Sequence, residues 1–153
     1  MSRRSAPRPF AAGHFQRQLR ARGVRITRQR RAILRVIETA GQHLDASQIL
    51  SRAVRLDPSI NRVTVYRTLG LLKRHGLVYE LDLMHIRGEA HYYEPRPKRD
   101  HIHVTCVRCG RTVEFLCPTY ERLKQQIGRD CRFHITMTRL EVGGYCARCR
   151  RSA

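Results

Sequence analysis

Apolar residues recur three or four positions apart in four segments of the first eighty residues. This spacing predicts amphipathic helices, each with one apolar face. Residues that favour helix starts precede three of these segments, with Thr27, Asp45 and Asn61 as candidate N-caps. We therefore predict four helices, over about 14–22, 28–40, 46–56 and 62–75.

After the fourth segment the pattern changes to the alternation of a β-hairpin. LVYELDL and HYYE have an extended pattern, and HIRGEA between them contains a turn, so we predict a hairpin over 77–94. Helix, helix, recognition-type helix and hairpin in this order form a winged helix-turn-helix domain, which we place at 14–94. Residues 1–13 lack apolar periodicity, which indicates a disordered basic arm.

The second half of the chain follows the polar run PRPKRD, whose two prolines predict an interdomain hinge over 95–100. IHVTC, RTVEFLC and FHITMTRLEV have strand character, and the pattern over 118–129 predicts a helix with Leu123 and Ile127 turned toward a sheet. We predict a small α/β domain over 101–153, which makes α+β the fold class of the whole chain.

The charge of the chain indicates what kind of partner it binds. The formal net charge is +19, and residues 1–35 contain eleven arginines and no acidic residue. Such an excess is typical of a protein that neutralises phosphates, although a merely soluble basic surface is the alternative. No apolar run approaches the ~20 residues of a membrane span, and the basic N-terminus lacks the apolar stretch of a secretory signal. We expect a cytoplasmic protein without a membrane partner.

All six cysteines follow residue 105, and four of them form the C-x-x-C pairs Cys106/Cys109 and Cys146/Cys149. Thiols stay reduced in the cytoplasm, and four thiolates complete a closed tetrahedral site for structural Zn²⁺. The 36 residues between the pairs exceed the roughly 15–20 of a simple zinc ribbon, so strand, helix and strand form an inserted element. A redox interpretation would need only one pair.

His101 and His103 stand two residues apart in a predicted strand, so both imidazoles point to the same face. Two ligands form half of a metal site, and the candidates for the rest are His43, Glu94 and Glu114. Nitrogen and carboxylate ligands suit iron(II), manganese(II) or zinc without choosing among them. A pair of solvated histidines is the alternative.

The segment NRVTVYRTL carries Arg62, Thr64, Tyr66 and Arg67 on faces away from its apolar stripe. From a helix in the major groove, the last three could contact base edges or phosphates. An ordinary amphipathic helix with a polar face is the alternative.

The order of four motifs resembles the ferric uptake regulator (Fur) family: T-x-Q-R from Thr27, TVYRTL from Thr64, then H-x-H-x-x-C-x-x-C-G, then C-x-x-C. The resemblance covers about residues 14–150. It implies a homodimer, formed through the domain at 101–153, that binds double-stranded DNA at a palindromic operator. The dimer would repress metal-uptake or stress genes when it is loaded with metal.

The resemblance also implies roles for individual residues. The four paired cysteines match the family's structural zinc site. Tyr66 and Arg67 match recognition-helix contacts, and Arg25 matches a basic residue that probes the minor groove, where arginine responds to groove width. The ligands of the regulatory metal, which would join the two domains, match His43, Glu94, His101 and His103, with Glu114 as an occasional further ligand.

Departures from the family pattern concern the metals. Ile102 stands where many members have an acidic residue and Thr138 where a histidine often lies, so a third metal site looks degraded, although Asp100 and Glu121 remain. The zinc-sensing branch usually has a cysteine close to the position of Glu94. Its absence favours Fe²⁺ or Mn²⁺ as corepressor, with a zinc-sensing regulator of the same family as the alternative. The hairpin is also longer than usual around 84–87.

Two other classes of function fit the sequence less well. A nucleobase deaminase needs the motifs H-x-E and P-C-x-x-C, and the sequence contains neither. Four cysteine ligands also leave no open position on zinc for catalysis. We therefore predict that the protein is not an enzyme. A zinc-ribbon RNA-binding protein would share the basic charge and the paired cysteines. It would not need the histidine and glutamate set or a recognition helix.

Overall fold

The structure is a computed structural model that describes residues 4–5, 11–41, 43–83, 91–96 and 100–151. These residues divide into two compact units. The helical unit comprises residues 11–82 and 91–96 of the described chain, and the cysteine unit comprises 4–5, 83 and 100–151. Parts of the predicted arm (1–3 and 6–10), the long hairpin turn (84–90) and the hinge (97–99) lie outside the described residues.

Both units mix helices and strands, which confirms α+β as the fold class. In chain order the elements are β1 (Arg4–Ser5), α1 (His14–Arg20), α2 (Arg28–Thr39), β2 (Leu44–Asp45), α3 (Ala46–Val54), α4 (Arg62–Arg74), β3 (Val78–Leu81), β4 (Tyr92–Pro95), β5 (Ile102–Cys106), β6 (Thr112–Phe115), α5 (Pro118–Asp130), β7 (Glu141–Gly144) and α6 (Ala147–Arg150).

The predicted helix starts in the helical unit are confirmed by side-chain hydrogen bonds. Thr27, Asp45 and Asn61 each accept a hydrogen bond from a backbone N–H three residues later, which satisfies a donor that has no partner within the helix. Asp45 and Gln48 form a complete capping box. These bonds are local, so the sequence alone was sufficient to place them.

A single apolar core joins α1 to α4 and the sheet. Its residues include Phe15, Leu19, Ile33, Leu34, Ile49, Val65, Leu69, Leu72 and Tyr93. The sheet has the order β2-β4-β3 with antiparallel neighbours, and β3 and β4 form the predicted hairpin. The helical unit therefore has the winged helix-turn-helix arrangement, and α4 is its recognition-type helix.

Glu38, in the last turn of α2, is only 1% exposed and binds the start of α1. Its carboxylate accepts hydrogen bonds from the backbone N–H of Gly13 at 2.8 Å and of Phe15 at 2.5 Å. A carboxylate at a helix N-terminus satisfies orphan donors and interacts favourably with the helix dipole. The charge is thereby compensated inside the core, and α1 is attached to α2.

We expect Glu38→Gln to lower the free energy of unfolding by about 1–3 kcal/mol, because an amide can accept at only one atom and leaves a buried N–H unsatisfied. Urea denaturation measures this change. Asp130→Asn, at an exposed carboxyl group at the end of α5, is the control and should shift stability by less than about 0.5 kcal/mol. Equal stability of both variants would contradict the assigned role of Glu38.

The cysteine unit contains a sheet of order β1-β6-β5-β7. β6 pairs antiparallel with both β1 and β5, whereas β7 lies parallel to β5. Arg4 and Ser5 of the predicted arm are therefore paired with the edge of this sheet. α5 connects β6 to β7, and no described helix of the chain is both long and apolar enough to cross a membrane.

Two sequence predictions in the cysteine unit were wrong. Residues 133–140 of the predicted strand form no strand, and pairing begins only at Glu141, opposite His103. Leu123 and Ile127 are 47% and 41% exposed rather than packed on a sheet. The apolar spacing of these segments does not reflect burial within a single chain, and a strand-like pattern without a partner strand does not form a strand.

Candidate metal centres and nucleic-acid interface

The parallel pairing of β5 with β7 brings the four paired cysteines together. Cys106 is the last residue of β5 and lies opposite Gly144, the last residue of β7, and Cys146 follows two residues later. Each strand end thus leads directly into a C-x-x-C segment. The four sulfur atoms lie within 4.8 Å of one another, and Cys109 Sγ is 3.9 Å from Cys146 Sγ.

This geometry fits a tetrahedral zinc site. Zn–S bonds of about 2.3 Å place neighbouring sulfur atoms about 3.8 Å apart in a regular tetrahedron. Cys117 and Cys131, which flank α5, are not part of this cluster. Four thiolates would complete the coordination of the ion, so the site is structural in type, as predicted, and offers no open position for substrate.

Backbone donors prepare two of these thiols for metal binding. The N–H of Cys146 lies 3.4 Å from Cys106 Sγ, and hydrogen bonds from the backbone of Cys146 and Cys109 lower the pKa of Cys106 to about 6. The backbone of Cys149 likewise lowers the pKa of Cys146. Burial and the neighbouring sulfurs raise the pKa of Cys149 to about 12, and a bound cation would reverse that effect because it stabilises thiolate.

His101, His103 and Glu114 form a second ligand group in the cysteine unit. His103 lies on β5 directly opposite Glu114 on β6, and His101 is two residues away on the same face. His101 Nε2 is 3.1 Å from His103 Nε2 and 3.8 Å from the Glu114 carboxylate. Two imidazoles bound to one ion at about 2.1 Å would have nitrogens about 3.0–3.4 Å apart, so the group fits a metal.

His43 and Glu94 form a ligand group in the helical unit. Leu44 on β2 pairs with Tyr93 on β4, so the next positions, His43 and Glu94, also face each other. His43 Nε2 is 3.0 Å from a Glu94 carboxylate oxygen, and both side chains are buried. A buried histidine and glutamate whose polar atoms face each other can bind a cation in common.

Asp100 and Glu121, the two residues that the sequence leaves for a third metal site, are both bound by a lysine. Lys124 on α5 forms ion pairs with Asp100 and with Glu121, the latter at 2.8 Å, and Thr138 donates a hydrogen bond to Asp100 at 3.2 Å. The two carboxylates raise the pKa of Lys124, which therefore stays charged. The Lys124 ammonium group neutralises Asp100 and Glu121, the carboxylates that a metal ion would need as ligands. Lys124 lies in the helix predicted over 118–129, but nothing in the sequence indicated that it binds these two carboxylates.

The start of α4 presents the candidate DNA contacts of the helical unit. Arg62, Tyr66 and Arg67 are exposed and Thr64 is half-buried, whereas Val65 and Leu69 on the opposite face are buried in the core. The Arg62 guanidinium lies over the Tyr66 ring at 5.5 Å from its centroid. This contact holds an aromatic ring and a cation together on the outer face of the helix.

Arg25 is exposed in the segment before α2, and its backbone carbonyl accepts a hydrogen bond from Arg30. Sequence reasoning missed this contact, and it also missed the bonds of Gln29 to the turn before α4. Side-chain contacts between distant segments leave no periodic signal in the sequence. The only signal was the T-x-Q-R motif that contains both Gln29 and Arg30.

Comparison with known proteins shows which family the chain resembles. The sequence model of the Ferric uptake regulator family matches residues 21–143. The chain is 34% identical to the Ferric uptake regulation protein of Synechococcus elongatus over 145 residues, which cover 94% of this chain and 97% of that protein. It is 32% identical to the Peroxide-responsive repressor PerR of Staphylococcus epidermidis over 132 residues, or 86% and 85% of the two chains.

A solved structure agrees with the sequence comparison. A zinc-bound manganese uptake regulator is 33% identical to this chain and superposes with a TM-score of 0.65. The superposition covers 86% of this chain and 97% of that one. The likeness therefore includes both units of the chain rather than one of them.

Proposed function

Because this chain belongs to the ferric uptake regulator family, we propose that it is a metal-responsive repressor that binds double-stranded DNA. It acts as a homodimer on a palindromic operator and represses metal-uptake or stress genes when it is loaded with metal. One observation carries this proposal: the chain combines an exposed recognition helix with histidine and carboxylate groups that the four-cysteine cluster does not use.

DNA binding is supported by the helical unit. In a helix-turn-helix the first residues of the recognition helix contact base edges, and here those positions are Arg62, Thr64, Tyr66 and Arg67 of α4. Arg25 lies in an exposed segment and suits the adjacent minor groove. The excess of arginine among the first 35 residues, where eleven arginines stand without an acidic residue, suits the phosphate contacts on which affinity depends.

Metal response is assigned to the two ligand groups that contain histidine. The helical unit offers His43 and Glu94, and the cysteine unit offers His101, His103 and Glu114. The helical unit offers two ligands and the cysteine unit three, and either set leaves coordination positions of a transition metal open, so we assign both groups to one regulatory ion. A set without thiolate suits Fe²⁺ or Mn²⁺, and Zn²⁺ is the alternative.

The homodimer is supported by apolar side chains that the cysteine unit leaves exposed. The largest of them are Phe133, which is 71% exposed, Met137, which is 59% exposed, and Tyr145. Monomeric proteins rarely expose several large apolar side chains in so short a segment, and a symmetric second copy would cover them. Among the described residues, no strand pairs with residues 133–140, which agrees with an interface there.

The proposed function can be tested by a DNA titration of protein that holds its structural zinc. A duplex is selected from a randomised library by the wild-type protein, and its affinity is measured with Fe²⁺ under anaerobic conditions, with Mn²⁺, with Zn²⁺ and without added metal. We expect one metal to increase affinity for this duplex over a shuffled duplex and over RNA. Metal-independent binding that favours RNA would instead support a zinc-ribbon RNA-binding protein.

Substitutions in α4 should separate affinity from discrimination. We expect Arg67→Ala to weaken binding strongly, and Tyr66→Ala to reduce the preference for the selected over the shuffled duplex by about 1–3 kcal/mol, the usual contribution of a base-reading contact. Fluorescence anisotropy at several salt concentrations measures both effects. Arg129→Ala, at an exposed arginine on α5, is the matched control and should bind as the wild type does. Wild-type binding by both α4 variants would show that α4 is not the recognition helix.

A further inference from the structure

The T-x-Q-R motif, from Thr27 to Arg30, opens α2, and its last two side chains bind two different segments of the helical unit. The Arg30 guanidinium donates to the backbone carbonyl of Arg25, which precedes the helix. Gln29 binds the turn between α3 and α4, thirty residues away. Adjacent residues in one helical turn therefore contact the segment that carries Arg25 and the turn that leads into α4.

The bonds between Gln29 and the turn form a continuous chain. Gln29 Nε2 donates to the backbone carbonyl of Ser59 at 3.0 Å and to its hydroxyl oxygen at 3.0 Å. The Ser59 hydroxyl in turn donates to Asp57 at 2.6 Å, and the Ser59 N–H donates to the same carboxylate oxygen at 3.1 Å. The amide of Gln29 thus fixes both the backbone and the side chain of Ser59.

Asp57 completes this chain as a charged group. Only 4% of its surface is exposed, and the hydrogen bonds from Ser59 lower its pKa, so it is a carboxylate at neutral pH. Arg28 Nε lies 3.3 Å from its second oxygen, but the Arg28 side chain is 83% exposed and the ion pair is screened by solvent. The two bonds between Gln29 and Ser59 and this screened ion pair together form the polar link between α2 and the turn.

This link lies at the end of α4 that carries the candidate DNA contacts. Ser59 is followed by Ile60, which is buried in the core, and by Asn61, the N-cap of α4. The buried face of α4 holds the helix in the unit, whereas the Gln29 amide and the Arg30 guanidinium set where its first turn lies relative to Arg25. Reading a major groove and the adjacent minor groove together depends on that separation.

We propose that Gln29 and Ser59 are positioning residues that fix the recognition helix relative to Arg25 and so determine how well the protein discriminates between DNA sequences. This inference rests on the proposed function, because it requires that both segments contact DNA. Gln29 and Ser59 act through Arg25, Tyr66 and Arg67 and need not touch the duplex.

The test uses the full-length, zinc-loaded protein with Mn²⁺ and two probes, the duplex selected by the wild-type protein and a shuffled duplex of equal length. Gln29→Leu and Ser59→Ala should each lower affinity for the selected duplex by roughly five- to tenfold, and leave affinity for the shuffled duplex unchanged. Gln48→Leu is the matched control, because the Gln48 amide also forms a hydrogen bond to the backbone, accepting from the Asp45 N–H at 3.1 Å, but caps α3 instead. It should retain full discrimination.

A double-mutant cycle separates positioning from a general loss of stability. In the Arg25→Ala background, Gln29→Leu should have less than about a twofold further effect on the selected duplex, because the separation between α4 and the Arg25 side chain then no longer affects binding. The same five- to tenfold loss in both backgrounds, or an equal loss on both duplexes, would overturn the inference. A wild-type protein that selects no preferred duplex would overturn the proposed function itself, which is a different result.

Discussion

His101→Ala is expected to abolish the metal dependence of DNA binding while weak binding to arbitrary DNA persists. Mn²⁺ or Fe²⁺ should raise the affinity of the wild-type protein for the selected duplex by about 5- to 150-fold, the usual range of coupling between two sites. The variant should show a ratio close to one. His101 is suited to this role because its Nε2 lies between the imidazole of His103 and the carboxylate of Glu114.

The physical reason is that a metal switch requires the metal to bind the active conformation more tightly than the inactive one. A ligand shifts a conformational equilibrium only by as much as it prefers one state over the other, and a shift from mostly inactive to mostly active protein takes several kcal/mol. An ion that binds His43 and Glu94 of one unit together with His101 and His103 of the other could supply this, whereas a two-ligand site could not. By reciprocity, the selected duplex should tighten metal binding by the same factor.

Two controls make this result specific. His134→Ala, at an exposed histidine in the segment after α5, should retain the full response to metal. His101→Ala should also retain the zinc of the cysteine cluster and the oligomeric state of the wild type, measured by metal analysis and light scattering. Equal stimulation by metal in the wild type and in His101→Ala would show that the buried pair of His101 and His103 does not bind the regulatory ion.

Local chemistry explains which parts of the fold the sequence predicted. Thr27 and Asn61 cap helices through bonds to residues three positions away, and the two C-x-x-C pairs follow strand ends that become neighbours through one parallel pairing. Such features depend on short spacings, or on residue types that have few other uses in a reducing compartment. They could therefore be predicted without knowledge of the fold.

Features that depend on distant segments could not be predicted in this way. The carboxylate of Glu38 takes the place of a local cap for α1, and Gln29 binds Ser59. Neither contact could be predicted, because neither leaves a periodic pattern in the sequence. The segment 133–140 shows the opposite case, because its apolar spacing predicted a strand but no described strand pairs with it. A sequence pattern indicates which face is apolar, but not what covers it.

Cys149→Ser is expected to remove zinc from the cysteine unit and to disrupt the dimer at the same time. A structural zinc contributes roughly 10–16 kcal/mol of apparent binding energy to a small domain, and that energy is also folding energy. Here the ion would hold the end of β5 next to the end of β7, and few apolar residues of this unit are buried to replace it.

The measurements are the zinc content after exposure to a chelator and the molar mass in solution. We expect the ratio of zinc to protein to fall from near one to near zero, and the protein to become monomeric or to aggregate, because the apolar surface around Phe133 and Met137 no longer has an ordered support. Cys131→Ser is the matched control, since Cys131 is exposed and lies outside the four-cysteine cluster. It should retain both zinc and dimer. Full zinc retention with an intact dimer in Cys149→Ser would refute the four-cysteine assignment, whereas loss of zinc with an intact dimer would show that the interface does not depend on the metal.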